Sequence, residues 1–207
     1  MSLDLALEPA AIHETLDVTA DGALIYDASV IPHASEKCFA ASGWASVRPV
    51  ENVLRSGGRG NTLILGDGTG EYVLRHFRRG GAVGRFIRDR YLWLGEDRTR
   101  AFAEWRVLQK LANLGMPVPR PAVARYRRRG PFYTADIITV RVPGIVPLSQ
   151  YIADHRPDEA FWQACGAAIY EFHEAGVYHA DMNAYNVQID SLLTEYFEPQ
   201  HREVRYT

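Results

Sequence analysis

The sequence has few cysteines, few lysines and no long hydrophobic run. Its two cysteines, Cys38 and Cys165, are too few for the disulfide framework of a small secreted domain. No stretch reaches the roughly 20 apolar residues that a membrane span requires. The opening M-S-L-D-L-A-L-E-P also lacks the basic stretch and apolar run of a signal peptide. We therefore expect a cytoplasmic chain, with any membrane association peripheral.

Charge is nearly balanced overall but segregated along the chain. The formal net charge of −2 argues against a general polyanion binder, so no nucleic-acid partner is expected. Residues 55–129, however, contain 17 Lys and Arg against 6 Asp and Glu. Only Lys37 and Lys110 are lysines, and the planar fork of arginine favours phosphate and carboxylate. The basic middle section therefore indicates a local anionic ligand.

The first half of the chain has the pattern of short strands. Residues 23–26 (A-L-I-Y), 61–65 (N-T-L-I-L) and 71–77 (E-Y-V-L-R-H-F) are β-branched and aromatic runs between Gly-rich breaks. Such runs predict antiparallel hairpins. Two further strands are predicted on either side of residues 128–131, whereas residues 78–100 fit either a helix or a loop.

Helical spacing dominates the later sequence. Apolar residues predict one helix from Thr99 to Leu114 and another over about 158–175, each followed by a glycine, and a third helix begins near Leu148. The pattern predicts an α+β, two-lobed fold. We expect an N-terminal extension, a β-rich N-lobe with one long helix, and a partial helical C-lobe, at residues 1–21, 22–142 and 143–207.

The most specific motif is H-A-D-M-N-A-Y-N, residues 179–186, which follows the second long helix and precedes an apolar V-Q-I. Its spacing, His-x-Asp-x-x-x-x-Asn, is that of the protein-kinase catalytic loop. In that loop the Asp takes the proton of the attacking hydroxyl, and the Asn binds a Mg²⁺ on the nucleotide phosphates. Asp181 is then the catalytic base, Asn186 a magnesium ligand and His179 a structural residue. The alternative is a polar turn with Asp181 in an Asx turn.

A kinase site needs a Gly-rich hairpin upstream of that loop to cover the phosphates. Gly57, Gly58 and Gly60 lie between two strand-like runs. Because glycine has no Cβ, backbone N–H groups can approach phosphate closely there. An ordinary tight turn is the alternative.

The site also needs a cation on the next strand and a carboxylate on the long helix. Arg75, in V-L-R-H-F, stands where a kinase normally has lysine. Glu104 shares a helix face with the apolar Leu108 and Leu111, where an unpaired charge is costly. We therefore expect Glu104 to pair with Arg75. The alternative is a surface glutamate lying beside Trp105.

A second glycine-rich stretch, L-I-L-G-D-G-T-G at residues 63–70, is similar to the strand-to-glycine turn of a methyltransferase or dinucleotide fold. Those folds require a helix directly after the turn. The residues that follow are β-branched and aromatic, so we predict a hairpin turn instead.

Taken in order, these parts resemble the bacterial, eukaryotic-like kinase family of lipopolysaccharide core biosynthesis. The likeness covers about residues 20–190. It is carried by S-G-G-R-G-N-T, V-L-R-H-F-R-R-G-G, Y-L-W-L-G-E-D-R-T-R-A-F-A-E-W-R-V-L-Q-K-L, G-M-P-V-P-R-P and H-A-D-M-N-A-Y-N.

The resemblance implies a protein-kinase-like fold and transfer of the γ-phosphoryl of ATP, with Mg²⁺, to the 4-hydroxyl of 3-deoxy-D-manno-octulosonic acid (Kdo) on a lipid A precursor. It places the reaction at the cytoplasmic face of the inner membrane. It implies that Asp181 is the base, Asn186 a magnesium ligand, and Arg75 with Glu104 the phosphate clamp. The implied partners are the Kdo-bearing lipid A precursor and the membrane surface, with no obligate protein partner.

A basic and aromatic segment runs from Arg78 to Trp93, and the sequence allows more than one role for it. Its arginines are interleaved with Phe86, Tyr91 and Trp93. The segment could line a site for phosphorylated lipid, rest on an anionic membrane, or form a solvated face. The arginines are Arg78, Arg79, Arg85, Arg88 and Arg90.

One departure from the family concerns the second metal-binding carboxylate. Kinases carry it in a D-F-G or D-F-D segment about a dozen residues beyond the Asn, and residues 187–207 contain no such segment. Asp190 is too close to Asn186, and no apolar strand precedes Glu198. We therefore expect a chain truncated or frame-shifted near Asp190, so the alternative function is a non-catalytic kinase-like remnant that binds nucleotide or anionic lipid.

Overall fold

The computed structural model describes residues 11–50, 62–78, 89–178, 182–190 and 204–206. The chain forms two compact units. The first comprises Met1–Asn113 and Arg120–Arg141, and the second comprises Leu114–Pro119 and Val142–Thr207. The predicted α+β class is confirmed.

The first unit is built on one antiparallel sheet, to which the described residues contribute eight strands. The elements are β1 (Glu14–Val18), β2 (Gly22–Asp27), β3 (Ser46–Pro49), β4 (Thr62–Gly66), β5 (Glu71–His76), β6 (Tyr91–Leu92), α1 (Arg100–Asn113), β7 (Pro121–Arg129) and β8 (Phe132–Val140). The spatial order of the strands is β1-β2-β7-β8-β5-β4-β3, and β6 pairs with β8. The sheet and one long helix form the predicted β-rich lobe.

The two sides of the sheet are covered differently. Helix α1 packs on β7 and β8, where Phe102 meets the ring of Tyr126 at 5.2 Å. The opposite side carries a cluster that includes Leu24, Leu74 and Ile138, with partly buried residues of the segment 28–44 packed against it. Consecutive residues of each strand point to opposite sides, so one sheet serves two separate cores.

The predicted hairpin at residues 63–70 is present, because β5 follows β4 after a short turn. Asp67 closes the turn: its Oδ1 accepts hydrogen bonds from the backbone N–H of Thr69 and Gly70, each at 2.7 Å. Burial raises the pKa of Asp67, but these hydrogen bonds outweigh it and lower that pKa to about 2. Since a strand rather than a helix follows Gly70, the methyltransferase alternative is excluded.

Three strands of the first unit lie where none was predicted, and one of them is β3, whose four residues are all exposed. β1, Glu14–Val18, pairs with β2 as an edge strand inside the expected N-terminal extension. Its side chains are mostly exposed, so it has no hydrophobic pattern that sequence reasoning could detect. β6, Tyr91–Leu92, lies in the segment for which the sequence predicted a helix or a loop, and two residues are too few to show a period.

The described residues of the second unit form two helices and a three-stranded antiparallel sheet whose central strand is β10 (Val187–Asp190). Both helices were predicted. Asp158 caps the longer one by accepting the Phe161 N–H at 2.8 Å, and Gly176 follows it at φ 76°. Two strands of this unit were not predicted: β9 (Ile145–Pro147) and β11 (Val204–Tyr206). The elements are β9 (Ile145–Pro147), α2 (Leu148–Asp154), α3 (Glu159–Glu174), β10 (Val187–Asp190) and β11 (Val204–Tyr206).

The core of the second unit is small and aromatic. Tyr151 of α2 stacks on Phe161 of α3 with ring centroids 5.0 Å apart, and Val187 and Ile189 of β10 are buried beside them. Within the described part of the chain, no helix is long and apolar enough to cross a membrane.

Candidate active site

Strand β5 and helix α1 bring Arg75 and Glu104 together. The Arg75 guanidinium forms an ion pair and a hydrogen bond with the Glu104 carboxylate. This contact confirms the pairing that the sequence predicted across 29 residues. It joins a strand in the interior of the sheet to the helix that covers that sheet.

Glu104 lies at the margin of the buried face of α1 rather than inside it. Trp105 and Phe102 are fully buried, whereas the Glu104 side chain is 32 % exposed and that of Arg75 is 44 % exposed. The sequence predicted that Glu104 faces the core. Each residue of an α-helix is rotated by about 100° from the previous one, so Glu104 lies beside the buried face that Trp105 occupies and not within it. Water can therefore reach the pair, and so can a ligand.

Arg75 is oriented on a second side by the ring of Phe77, whose centroid lies 5.0 Å from the guanidinium carbon. A guanidinium has five N–H donors, and one carboxylate engages at most two of them. The paired Arg75 thus retains donors for a second anion. This arrangement fits a phosphate group, which arginine binds through the same fork.

Asn186 lies in the turn between α3 and β10, directly before the buried Val187. Its backbone N–H donates to the Asn183 carbonyl at 3.0 Å, while the Asn183 side chain accepts the Tyr185 N–H at 2.9 Å. Ser149, in α2, donates its N–H to the Ala184 carbonyl at 2.8 Å. These bonds fix the backbone that carries Asn186. An Asx turn of this loop therefore centres on Asn183, and Asp181, where the alternative interpretation set one, lies outside the described residues.

Several predicted site residues lie outside the described residues. They are Gly57, Gly58 and Gly60 of the glycine-rich segment, His179 and Asp181 of the loop, and Arg79, Arg85 and Arg88 of the basic segment. Their roles remain predictions.

Sequence reasoning missed an ionic network on the side of the sheet opposite α1. The Asp136 carboxylate contacts His76 Nδ1 at 2.6 Å and accepts a hydrogen bond from Arg125 Nε at 2.8 Å, and Arg125 also pairs with Glu36. Burial raises the pKa of Asp136, but the hydrogen bond with His76 and the charge of Arg125 outweigh it and hold that pKa below its usual range. In the sequence, the network is visible only as one charged or titratable residue in each of β5, β7 and β8, at a position that faces the side of the sheet opposite α1.

A second buried carboxylate, that of Asp27, binds the arginine that directly precedes β7. Asp27 is fully buried at the end of β2, accepts a hydrogen bond from Arg120 Nε at 2.8 Å and accepts the Ser29 hydroxyl at 2.7 Å. Burial raises the pKa of Asp27, but the bonds from Ser29 and Arg120 lower it below its ordinary value. Asp27 and Arg120 therefore stabilise the fold rather than face a ligand.

The chain matches the model of the lipopolysaccharide kinase (Kdo/WaaP) family over residues 46–197. The chain belongs to this family. It is 39 % identical to a 3-deoxy-D-manno-octulosonic acid kinase of Xanthomonas axonopodis pv. citri (strain 306) over 171 residues, which are 82 % of this chain and 67 % of the relative. It is also 39 % identical to the enzyme of that name from Stenotrophomonas maltophilia (strain K279a), covering 82 % of this chain and 66 % of the relative.

Among solved structures, WaaP in complex with acyl carrier protein matches with a TM-score of 0.52 at 16 % identity, covering 81 % of this chain and 62 % of WaaP. The match confirms the predicted kinase-like fold. Family membership confirms the predicted resemblance and the predicted enzyme class, a kinase. This chain spans about two thirds of the length of the curated relatives it matches.

The described residues fit the nucleotide better than the metal. Arg75, held by Glu104 and Phe77, has the donor chemistry for a phosphate. For Mg²⁺ the described residues include one predicted ligand, Asn186, whose amide oxygen is of the hard type that Mg²⁺ prefers. Among those residues no group of three or more His, Cys, Asp and Glu could hold a metal ion.

Proposed function

We propose that this chain transfers the γ-phosphoryl group of ATP to the 4-hydroxyl of Kdo on a lipid A precursor. The observation that carries the proposal is the ion pair between Arg75 on β5 and Glu104 on α1. A strand cation held by a helix carboxylate is the part of a kinase that binds nucleotide phosphates. The acceptor follows from the similarity to relatives named as 3-deoxy-D-manno-octulosonic acid kinases.

In the proposed mechanism Arg75 binds the phosphates of ATP, and Glu104 orients the guanidinium. Asp181 accepts the proton of the Kdo hydroxyl as the oxygen attacks the γ-phosphorus and the bond to the bridging oxygen breaks. A bound Mg²⁺ supplies positive charge that offsets the charge of the transferred phosphoryl group, and Asn186 is the described residue that would hold it. The glycine-rich segment with Gly57, Gly58 and Gly60 covers the phosphates with backbone N–H groups.

The proposed acceptor places the reaction at the cytoplasmic face of the inner membrane. A Kdo-bearing lipid A precursor is anchored by its acyl chains, so the enzyme must reach a sugar at the membrane surface. We therefore include peripheral membrane association in the proposal.

The test is phosphoryl transfer from labelled ATP to a Kdo-bearing lipid A precursor. We expect transfer by the wild type and a loss of at least about 100-fold in Asp181→Ala, because proton transfer in the transition state contributes about 10²–10⁴ in rate. Asp154→Ala, which removes an exposed carboxylate at the end of α2, is the matched control and should retain full activity. Equal transfer by the wild type and Asp181→Ala would contradict the proposal.

A second candidate function is nucleotide binding without transfer. It is favoured by the sequence after Asn186, which contains no D-F-G or D-F-D segment. Mg-ATP would then raise the thermal unfolding temperature while no labelled product forms. Measurable transfer excludes this candidate.

A further inference from the structure

A basic and apolar surface lies at the turn between β7 and β8, away from the Arg75–Glu104 pair. We define the hairpin surface as Leu92, Leu94, Arg127, Arg129 and Phe132. Leu92 and Leu94 are 52 % and 60 % exposed, which is unusual for large aliphatic side chains. Arg129 is exposed, and Arg127 and Phe132 are partly exposed.

The strand register places four of these side chains together, and Leu94 follows two residues after Leu92, just beyond β6. Leu92 of β6 is opposite Phe132 of β8, and Phe132 is in turn opposite Arg129 of β7. Residues paired across an antiparallel ladder share one side of the sheet, and Arg127 lies on the same side as Arg129 because the period of a strand is two. Two arginines therefore flank two apolar side chains on one side of the sheet.

The intervening residues point to the other side and have a structural role. The rings of Tyr91 and Tyr133 contact at a tilt, with centroids 5.5 Å apart, and the guanidinium carbon of Arg128 lies 5.0 Å from the centroid of the Trp93 ring. The backbone N–H of Arg100 donates to the Tyr133 hydroxyl at 3.1 Å, which ties this aromatic group to the start of α1. The strands that carry the hairpin surface are therefore packed on aromatic side chains on their other side.

The charge around the hairpin surface is positive. Arg90 is exposed directly before β6, and Arg127–Arg129 are three consecutive arginines, of which Arg128 donates its Nε–H to the Gly130 carbonyl at 3.0 Å. The neighbouring turn between β1 and β2 adds one carboxylate, Asp21, whose backbone carbonyl accepts the Arg128 N–H. Three more carboxylates lie close in the chain, but each is engaged elsewhere: Asp89 with His76, Glu96 with the Tyr126 hydroxyl and Asp97 with Arg106. Among the described residues, no carboxylate forms an ion pair with Arg127 or Arg129, so the two arginines remain available to an anionic surface.

We propose that the hairpin surface docks this chain on an anionic phospholipid membrane, with Leu92 and Leu94 entering the headgroup region and Arg127 and Arg129 contacting lipid phosphates. The proposal deepens the proposed function, because it rests on a lipid-anchored acceptor. Exposed leucines between arginines complement a surface that is apolar inside and anionic outside. A binding site for a free anion would not require the leucines.

The test is sedimentation of the full chain, without nucleotide, with vesicles of phosphatidylcholine containing about 30 % phosphatidylglycerol, as a model of an anionic leaflet. One arginine near such a surface strengthens binding about fivefold, so Arg127→Gln combined with Arg129→Gln should weaken it about 25-fold. Leu92→Ser combined with Leu94→Ser should weaken it about tenfold or more. The arginine contribution should shrink when salt rises from about 0.1 M to about 0.5 M.

The matched controls remove the same charges and a similar apolar side chain elsewhere. Arg48→Gln combined with Arg156→Gln, and Ile152→Ser, change exposed residues of β3, of the α2–α3 connection and of α2. The proposal is overturned if these controls weaken binding as much as the hairpin variants do, if the hairpin variants bind like the wild type, or if pure phosphatidylcholine vesicles bind equally well. Because the substituted leucines are exposed, unfolding temperatures should stay within a few degrees of the wild type.

A parallel assay separates this proposal from the proposed function. Phosphoryl transfer to a water-soluble, deacylated Kdo acceptor should be unchanged in the hairpin variants. Transfer to that acceptor combined with unaltered vesicle binding would overturn only the docking proposal. Weakened vesicle binding in the hairpin variants, with no transfer by any form of the chain, would support docking and contradict the kinase proposal.

Discussion

Arg75 and His76 are neighbours on β5 but belong to two different ionic regions of the molecule. Arg75 pairs with Glu104 on the α1 side of the sheet, where the two side chains are 44 % and 32 % exposed. His76 contacts Asp136 on the other side, in the network whose Arg125–Asp136 pair is only 10 % and 8 % exposed. One strand thus carries a solvent-accessible pair and a buried network at consecutive positions.

The two regions differ in how much their ionic contacts contribute to the stability of the fold. An accessible ion pair contributes about 0–1 kcal/mol to stability, so the Arg75–Glu104 contact has little effect on whether the chain folds. A buried pair is costly to break, because removing one partner leaves a desolvated charge. We infer that the Arg75–Glu104 pair serves a ligand and that the Asp136 network serves the packing of residues 28–44 on the sheet.

The largest expected effect is on stability, from Arg125→Ala. This change leaves the buried Asp136 carboxylate with His76 as its remaining described partner, and it removes the contact with Glu36. The free energy of unfolding should fall by about 3–5 kcal/mol in urea denaturation. Arg48→Ala, which breaks an exposed pair with Glu71, is the control and should cost less than about 1 kcal/mol. Similar losses in both variants would remove the contrast between buried and exposed pairs.

Arg75→Ala is expected to lower activity strongly and to change stability little. If Arg75 binds the nucleotide phosphates, kcat/KM for ATP should fall about 10²–10³-fold, as it does when one preorganised donor to a reacting group is lost. Stability should change by less than about 1 kcal/mol, because the pair with Glu104 is accessible to water. Steady-state kinetics and urea denaturation of the same preparation measure both quantities. A large loss of stability with unchanged kcat/KM would assign Arg75 to the fold.

The Arg75–Glu104 side of this comparison was predictable from the sequence, because it depends on the local hydrophobic pattern of one strand and one helix. The helical spacing around Glu104 and the strand around Arg75 gave both elements and their pairing. The Asp136 network was not predictable, because its members are single charged residues on separated elements and only the register of β5, β7 and β8 brings them together. The exposed β1 was missed for a related reason, since an edge strand with few buried side chains has no hydrophobic period.

Acid should weaken the fold through Asp136 and Asp27. The pKa of each carboxyl is lowered in the folded chain, because its hydrogen bonds and its arginine partner outweigh the effect of burial. The unfolded chain therefore binds more protons as the pH falls below about 4, and the stabilisation present above that pH is lost as the pH passes through the lowered values. Urea denaturation from pH 7 to pH 3 should show this decline.

The pH experiment has its own control. Asp136→Asn removes one of the carboxyls whose pKa is lowered in the folded chain and keeps the shape of the side chain, so the decline should become shallower while the stability at pH 7 is lower. Asp154→Asn, which removes an exposed carboxylate at the end of α2, controls for the change in net charge alone. An unaltered slope in Asp136→Asn would show that Asp136 does not titrate differently in the folded and unfolded chains.

The smallest effect is expected from Trp105→Phe, next to Glu104 on α1. Trp105 is fully buried, and its indole N–H has no hydrogen-bond acceptor among the described residues, whereas both carboxylate oxygens of Asp136 are engaged. Phenylalanine removes the unsatisfied donor but leaves a small void, so the two contributions oppose and the free energy of unfolding should change by less than about 1 kcal/mol. Trp105→Ala, which creates a large cavity, should cost about 3–5 kcal/mol. A loss of unfolding free energy above about 2 kcal/mol in Trp105→Phe would mean that the indole N–H is hydrogen-bonded in the folded chain. The α1 side of the sheet would then also contain a buried polar contact, like the one around Asp136 on the opposite side.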